Sequence, residues 1–258
     1  MFDGAKLKLS WANRHIKDLN TILNDFVASD FYTLKNEFDS TVGFYQITFQ
    51  TKKEPPPFIP LLIGDAIHNL RVALDHAAAE IVGVDNAGIS FPFHELRQNH
   101  IDANGTLLGH AKTIERAKQG FGYFILNEIR PYADGDGNKL LWSLSKLDNV
   151  DKHRLLIPVL AITSVDVHDL YDKVNHITIS HLRGEVDPNG FIDLVGSDNH
   201  FEIRGEIQPG FTVLFGDGTY FDNNPVIKTL VEISNAVLKA LRQLEEFVLN
   251  GVSVSQQN

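Results

Sequence analysis

Leu9, Ala12, Ile16, Leu19, Leu23 and Phe26 recur at steps of three and four, the period of an amphipathic helix, and predict one over residues 4–27. Between 42 and 50 the pattern changes to alternation, with Tyr45, Ile47 and Phe49 separated by polar residues, as in a half-buried strand. Pro55, Pro56 and Pro57 stiffen the approach to a second helix over 60–82. Pro60 can occupy its first turn, where the missing N–H costs nothing, and Gly83 ends it. An extended Ser90-Phe91-Pro92-Phe93 piece and one or two short helices, within 105–119 and 121–129, are expected next, divided by Gly120 and closed by Pro131. Another helix is predicted over 138–153, behind a turn whose Asp134 and Asp136 suit a helix N-terminus.

Past His153 the period shortens. β-rich runs at 155–163, 174–182, 190–195, 200–207 and 211–215 are separated by Pro, Gly and Asn turns, the mark of a meander. A last helix over 225–249 carries Val226, Leu230, Ile233, Val237, Leu241, Leu244 and Val248 on one stripe, with Gly251 placed as its C-cap. The expected fold class is therefore α+β, a helical bundle with an antiparallel β-meander. Helices 4–27, 60–82, 138–153 and 225–249 bury their stripes together, the β-rich segment is 155–216, and the whole is a single compact α+β domain over 1–258.

Composition narrows the function classes. The hydrophobic fraction of 43% suits a folded chain. No window approaches the roughly 18 uncharged apolar residues a membrane span needs, and the opening MFDGAKLKLSWANRH lacks the apolar core of a signal peptide, so no membrane partner and a cytoplasmic location are expected. The lack of cysteine removes disulfides, a thiol nucleophile and Cys-based zinc sites. With 23 basic against 33 acidic residues the net charge is −10, which opposes long-range attraction to nucleic acid, and no Lys/Arg run offsets it.

Two helices carry polar residues where they are not expected. On 60–82, Ala66, Ile67, Leu70, Ala73, Leu74, Ala77 and Ile81 form the core stripe, while the other side holds Asp65, His68, Asn69, Arg71, Asp75 and His76. A merely solvated face favours Lys and Glu, and this one uses Asp, Asn and His, which are poor helix formers. On 138–153, Leu140, Leu144 and Leu147 define the apolar side, and Asp148 and Asp151 fall within it. Inward carboxylates need donors, and Arg71, His68 and His76 are available on the first helix. The two helices are therefore expected to face each other across one polar cluster. An internal salt-bridge network is as good a reading of it as a catalytic site. A third reading has Asp151, Lys152, His153 and Arg154 simply end their helix, the cations favoured by its dipole.

The blocks IGDAIHNLRVALDH at 63–76 and LSKLDNVDKHR at 144–154 resemble a family of uncharacterised bacterial and phage-borne proteins that share both. Arg71 and His76 also resemble the Arg-x4-6-His motif of the HEPN superfamily, many of whose members are metal-independent ribonucleases. That resemblance implies an Arg71 that stabilises the scissile phosphate and a His76 that serves as general base or acid. Val72 departs from the motif, which usually has a polar residue after the Arg.

A metal is the weaker reading. Asp65 and His76 are separated by roughly 16 Å along a helix axis, too far for one ion, which leaves His68 with Asp75, or Asp75 with Asp148, as the better geometries. No HExxH pair, Walker loop, dinucleotide fingerprint or nucleophile elbow is present, and Lys139 and Ser145 spoil a calcium-loop likeness at 134–145. Neither metal nor cofactor is assigned. The candidate catalytic residues are Arg71, His76, His68, Asp148 and Asp151, and the candidate ligand-binding residues are Asp65, Asn69, Asp75, Lys152 and His153. Two functions stand side by side: a structural or ligand-binding network, and a HEPN-like endoribonuclease using Arg71 and His76 with RNA as partner. A homodimer also stays open. The remaining histidines, His94 and His100 among them, are assigned to surface or capping roles.

Overall fold

The computed structural model describes residues 1–39, 44–83, 88–154, 156, 158–185 and 201–254. The protein is α+β. Its helices are α1 (Asp3–Val27), α2 (Ile59–Val82), α3 (Gly109–Ala117), α4 (Phe121–Phe124), α5 (Lys139–His153) and α6 (Val226–Val254), and its strands are β1 (Tyr32–Asp39), β2 (Phe44–Thr51), β3 (Pro158–Asp172), β4 (Ile177–Glu185), β5 (Phe201–Ile203) and β6 (Ile207–Phe215). Among the described residues no helix is long and apolar enough to cross a membrane. The chain groups into two compact units, one of Met1–Asn20, Phe58–Ile157 and Phe215–Asn258, the other of Thr21–Pro57 and Pro158–Leu214.

The first unit is the helical bundle. Ala5, Leu9, Ala12, Ile16 and Leu19 of α1, the core stripe of α2, Leu141, Leu144 and Leu147 of α5 and the stripe of α6 from Val226 to Leu244 are all buried. α2 packs on α5 and α6, and α5 also packs on α6. Polar contacts lock α1 beside them: Ser234 donates to Asn13 at 2.6 Å and Lys6 pairs with Glu245 at 2.5 Å. Helix ends depart from expectation in two places. Asn138, not Asp134 or Asp136, caps α5 by accepting from Leu141 N at 3.2 Å, because Asp134 is taken by Arg97 N and Asp136 by Arg130 and Tyr132. Helix α6 runs through Gly251 to Val254 and does not end there. Helix propensity is a weak prior, and Gly251 lacks about 1 kcal/mol of it, too little to stop a helix of this length.

The second unit holds the strands. β2 matches the alternating run at 42–50, but its antiparallel partner β1 was not expected, although Tyr32, Leu34 and Phe38 carry part of an alternating pattern. β3 runs on to Asp172, well past the end of the run expected at 155–163, and Val174, expected to open the next run, falls in the turn that follows it. β4 pairs antiparallel with β3, from Ser164↔Glu185 to Asp172↔Ile177. β5 lies on the other side of β3, with Leu170↔Ile203, and β6 also pairs with β3, His168 N donating to Glu206 O at 3.0 Å. The sheet is antiparallel, as predicted, with β3 at its centre instead of the sequential order of a plain meander. The run at 190–195 lies outside the described residues. Val165, Val167 and Leu170 centre the apolar cluster of the sheet.

One buried group of the first unit escaped the pattern. His100 is 1% exposed, its ring edge-on to His94 at 4.5 Å and against Tyr132, and its Nε2 has no hydrogen-bond partner. Burial first, then the neighbouring His94 and Arg97, push its pKa from 6.5 down to about 4, with Asp134 pulling the other way. A histidine held neutral in the folded state costs stability only where the unfolded chain protonates. The loss therefore begins as pH falls below 6.5 and grows until about 4. We expect melting temperature to fall across that interval, and His100→Phe to flatten part of the slope. A slope identical in the variant would show that His100 is not the group responsible.

Candidate functional site

Helices α2 and α5 meet along residues spaced one turn apart on each. Gly64 and His68 of α2 face Asp151 and Asp148 of α5, so that rising numbers on one helix meet falling numbers on the other, an antiparallel crossing. His68 Nδ1 lies 2.9 Å from Asp148 Oδ1, and Lys152 Nζ donates to Asp148 Oδ2 at 2.5 Å. Asp148 is 2% exposed, whereas the His68 and Lys152 side chains are 50% and 51% exposed. A carboxylate buried in the seam is thus answered by two donors that reach in from solvent. A carboxylate accepts only, so the imidazole proton facing it sits on Nδ1, and Nε2 carries the lone pair.

Gly64 explains how Asp151 fits. A Cβ on Gly64 would stand 2.7 Å from Asp151 Cγ, with both carboxylate oxygens closer still. The Asp151 carboxylate therefore rests directly on the backbone of α2, at a position only glycine leaves open. Its pKa is raised, first by burial and then by the charges of Asp148 and Asp65, with His68 opposing. A carboxyl of raised pKa and a half-exposed imidazole consequently stand side by side.

The structure brings His68, Asp148, Asp151, Asp65 and Lys152 together, and places the remaining candidates elsewhere. Arg71 pairs with Asp75 one turn along α2 and stacks over the Phe93 ring at 4.4 Å, while Asp75 also accepts from Phe91 N at 2.7 Å. Their task is to fasten the extended Phe91–Phe93 stretch to α2. Neither of the metal geometries weighed above forms: Asp75 is engaged with Arg71 and Phe91, and Asp148 with His68 and Lys152. Among the described residues no group of three or more His, Asp or Glu could hold a metal ion. Asn69 is buried, donates to Asp65 O at 2.8 Å and accepts from Lys8 at 3.2 Å. His76 is exposed, with Nδ1 2.9 Å from where a Cβ on Gly4 of α1 would be. Arg71 and His76 thus have different neighbours. His153 is exposed at the end of α5.

Two contributors were missed, Gly64 and Lys8. A glycine inside a strongly helical pattern signals a close backbone approach, and that signal was present for Gly64. Nothing in the pattern marks Lys8. Comparison of the chain with protein-family models, curated proteins and solved structures finds no match.

Gly64→Ala gives a test of sign. On helix propensity alone the change should stabilise an interior position by about 0.5–1 kcal/mol. Because the new methyl would displace Asp151, we expect the melting temperature to stay level or fall, and the Asp151 carboxyl, followed by NMR titration, to return toward the ordinary 3.8. Stabilisation with an unshifted Asp151 would contradict the packing described. Conversely, Asp151→Asn keeps the shape and removes a charge. A raised pKa contributes stability below 3.8 that is lost as pH rises through the folded value, so this variant should melt higher than wild type near neutral pH and lose that advantage in acid.

Proposed function

We propose that the α2–α5 face is a ligand-binding and proton-transfer site in which His68 acts as general base and Asp151 as general acid. The observation that carries this reading is the Asp148–His68 pair. A charge buried in an apolar seam is costly, and here it is spent on orienting a half-exposed imidazole instead of pairing with another buried group. This is how a carboxylate fixes the tautomer of a catalytic histidine. The ligand suited to this face offers a proton donor to His68 Nε2 and an acceptor to a protonated Asp151. The acidity around it, from Asp65 and Asp148, favours neutral or cationic ligands over anionic ones.

Ribonuclease chemistry on Arg71 and His76 has less support, because Arg71 is committed to Asp75 and Phe93. Purified protein should be assayed on a fluorogenic RNA and on chromogenic esters, amides and phosphodiesters, with His68→Ala, Asp151→Asn and His76→Ala in parallel. We expect turnover of a neutral or cationic substrate that drops by about 10²–10⁴ in His68→Ala without loss of folding, and that His76→Ala leaves intact. RNA cleavage abolished by His76→Ala but not by His68→Ala would replace this proposal with the ribonuclease. A wild-type protein inert toward the whole panel would leave the cluster a structural network.

A further inference from the structure

Helix α1 turns one stripe away from the bundle: Asp3, Leu7, Trp11, Arg14 and Asp18, at steps of four, four, three and four, within one side of the helix. Its apolar members are strongly exposed, Leu7 at 72% and Trp11 at 48%. Asp3, Arg14 and Asp18 are exposed too. Two residues of its own helix dress Trp11, Arg14 lying 5.3 Å over the ring and His15 edge-on at 5.3 Å. The Arg14–Asp18 pair is long, at 3.9 Å, and leaves the guanidinium able to turn to another partner.

We infer that this stripe is a self-association surface, on which a second copy of the chain docks its own α1 antiparallel about a two-fold axis level with Leu9. The charges favour this register over two alternatives. In it Leu7 lies against Trp11 of the second copy, Asp3 lies against His15 and Arg14 of the second copy, and the symmetry forms each contact twice. Asp18 then projects past the start of the opposing helix. A parallel pairing would set Asp3 against Asp3 and Arg14 against Arg14. An antiparallel register in which one helix slides three residues along the other, about 4.5 Å, would set Asp3 against Asp18 and Leu7 against Arg14. The overlap covers about 13 residues, roughly 20 Å of helix, well below the ~800 Å² per partner of a standard interface. The dimer is therefore weak, concentration-dependent and salt-sensitive.

Sedimentation velocity of the full chain over rising concentration, at low and high salt, tests it. We expect a monomer–dimer equilibrium that weakens with salt and is abolished by Leu7→Glu. Asp3→Arg and Arg14→Glu should each lower the association constant about tenfold, and the Asp3→Arg/Arg14→Glu double variant should recover most of the loss. All these positions are exposed, so unchanged melting curves will separate lost association from lost folding. A monomer at every concentration would overturn the inference. So would a dimer indifferent to Leu7→Glu, or single charge reversals that the double variant fails to rescue.

Discussion

Asp148 sits in the seam between α2 and α5, on the side of its helix that also carries Leu144 and Leu147, and a carboxylate there has to be answered. Unpaired, it would cost several kcal/mol, a large share of what holds a domain folded. Two partners answer it from opposite directions. Lys152 reaches back one turn along the same helix, and His68 reaches across from α2. The i,i+4 pair alone would hold the charge within α5, but it would not tell α5 where to lie. The contact to His68 fixes the level of the crossing, and the absence of a side chain at Gly64 lets the helices come close enough for Asp151 to rest on the α2 backbone.

That arrangement is asymmetric in its exposure. The acceptor is sealed and both donors are wet, so removing either donor singly leaves the other in place, while removing both leaves the charge buried alone. The two losses should not add. In a fully internal network donors and acceptors are buried together, whereas here both donors are half-exposed. Here the imidazole is half-exposed and the carboxylate that restrains it is buried.

Much of this was legible in the sequence, for physical reasons that also mark where reading stops. The long helices announce themselves because a stripe at a period of 3.6 is repeated over many turns, and Asp148 stands out because it breaks such a stripe. From a buried carboxylate on one helix and unusual histidines on another, a contact between the two follows, and His68 with Asp148 makes it. The choice of donor could not be read. Arg71, His68 and His76 were equal on chemistry, and only the height at which the helices cross separates them. The strands fared less well. Continuous runs such as the one that became β3 were cut at the wrong places, since alternation carries no information about which neighbour a strand pairs with. His100 was invisible for a related reason: it belongs to a short turn whose burial depends on Tyr132 arriving from another part of the chain.

The polar side of α2 resolves into two stripes once each residue is turned by about 100° per position. Gly64, His68, Arg71 and Asp75 fall on one. Its first half meets α5 and its second half holds the Phe91–Phe93 stretch. Asn69 and His76 fall on the other, where Lys8 and Gly4 of α1 meet them, and Phe2 N continues the line by donating to Glu80 at 2.9 Å. Arg71 and His76 are therefore neighbours in sequence but lie about 140° apart around the helix, each turned to a different part of the bundle. Spacing by itself cannot bring an Arg and a His five residues apart to bear on one atom; a surface from outside the helix has to join them. In this chain the surfaces present separate them.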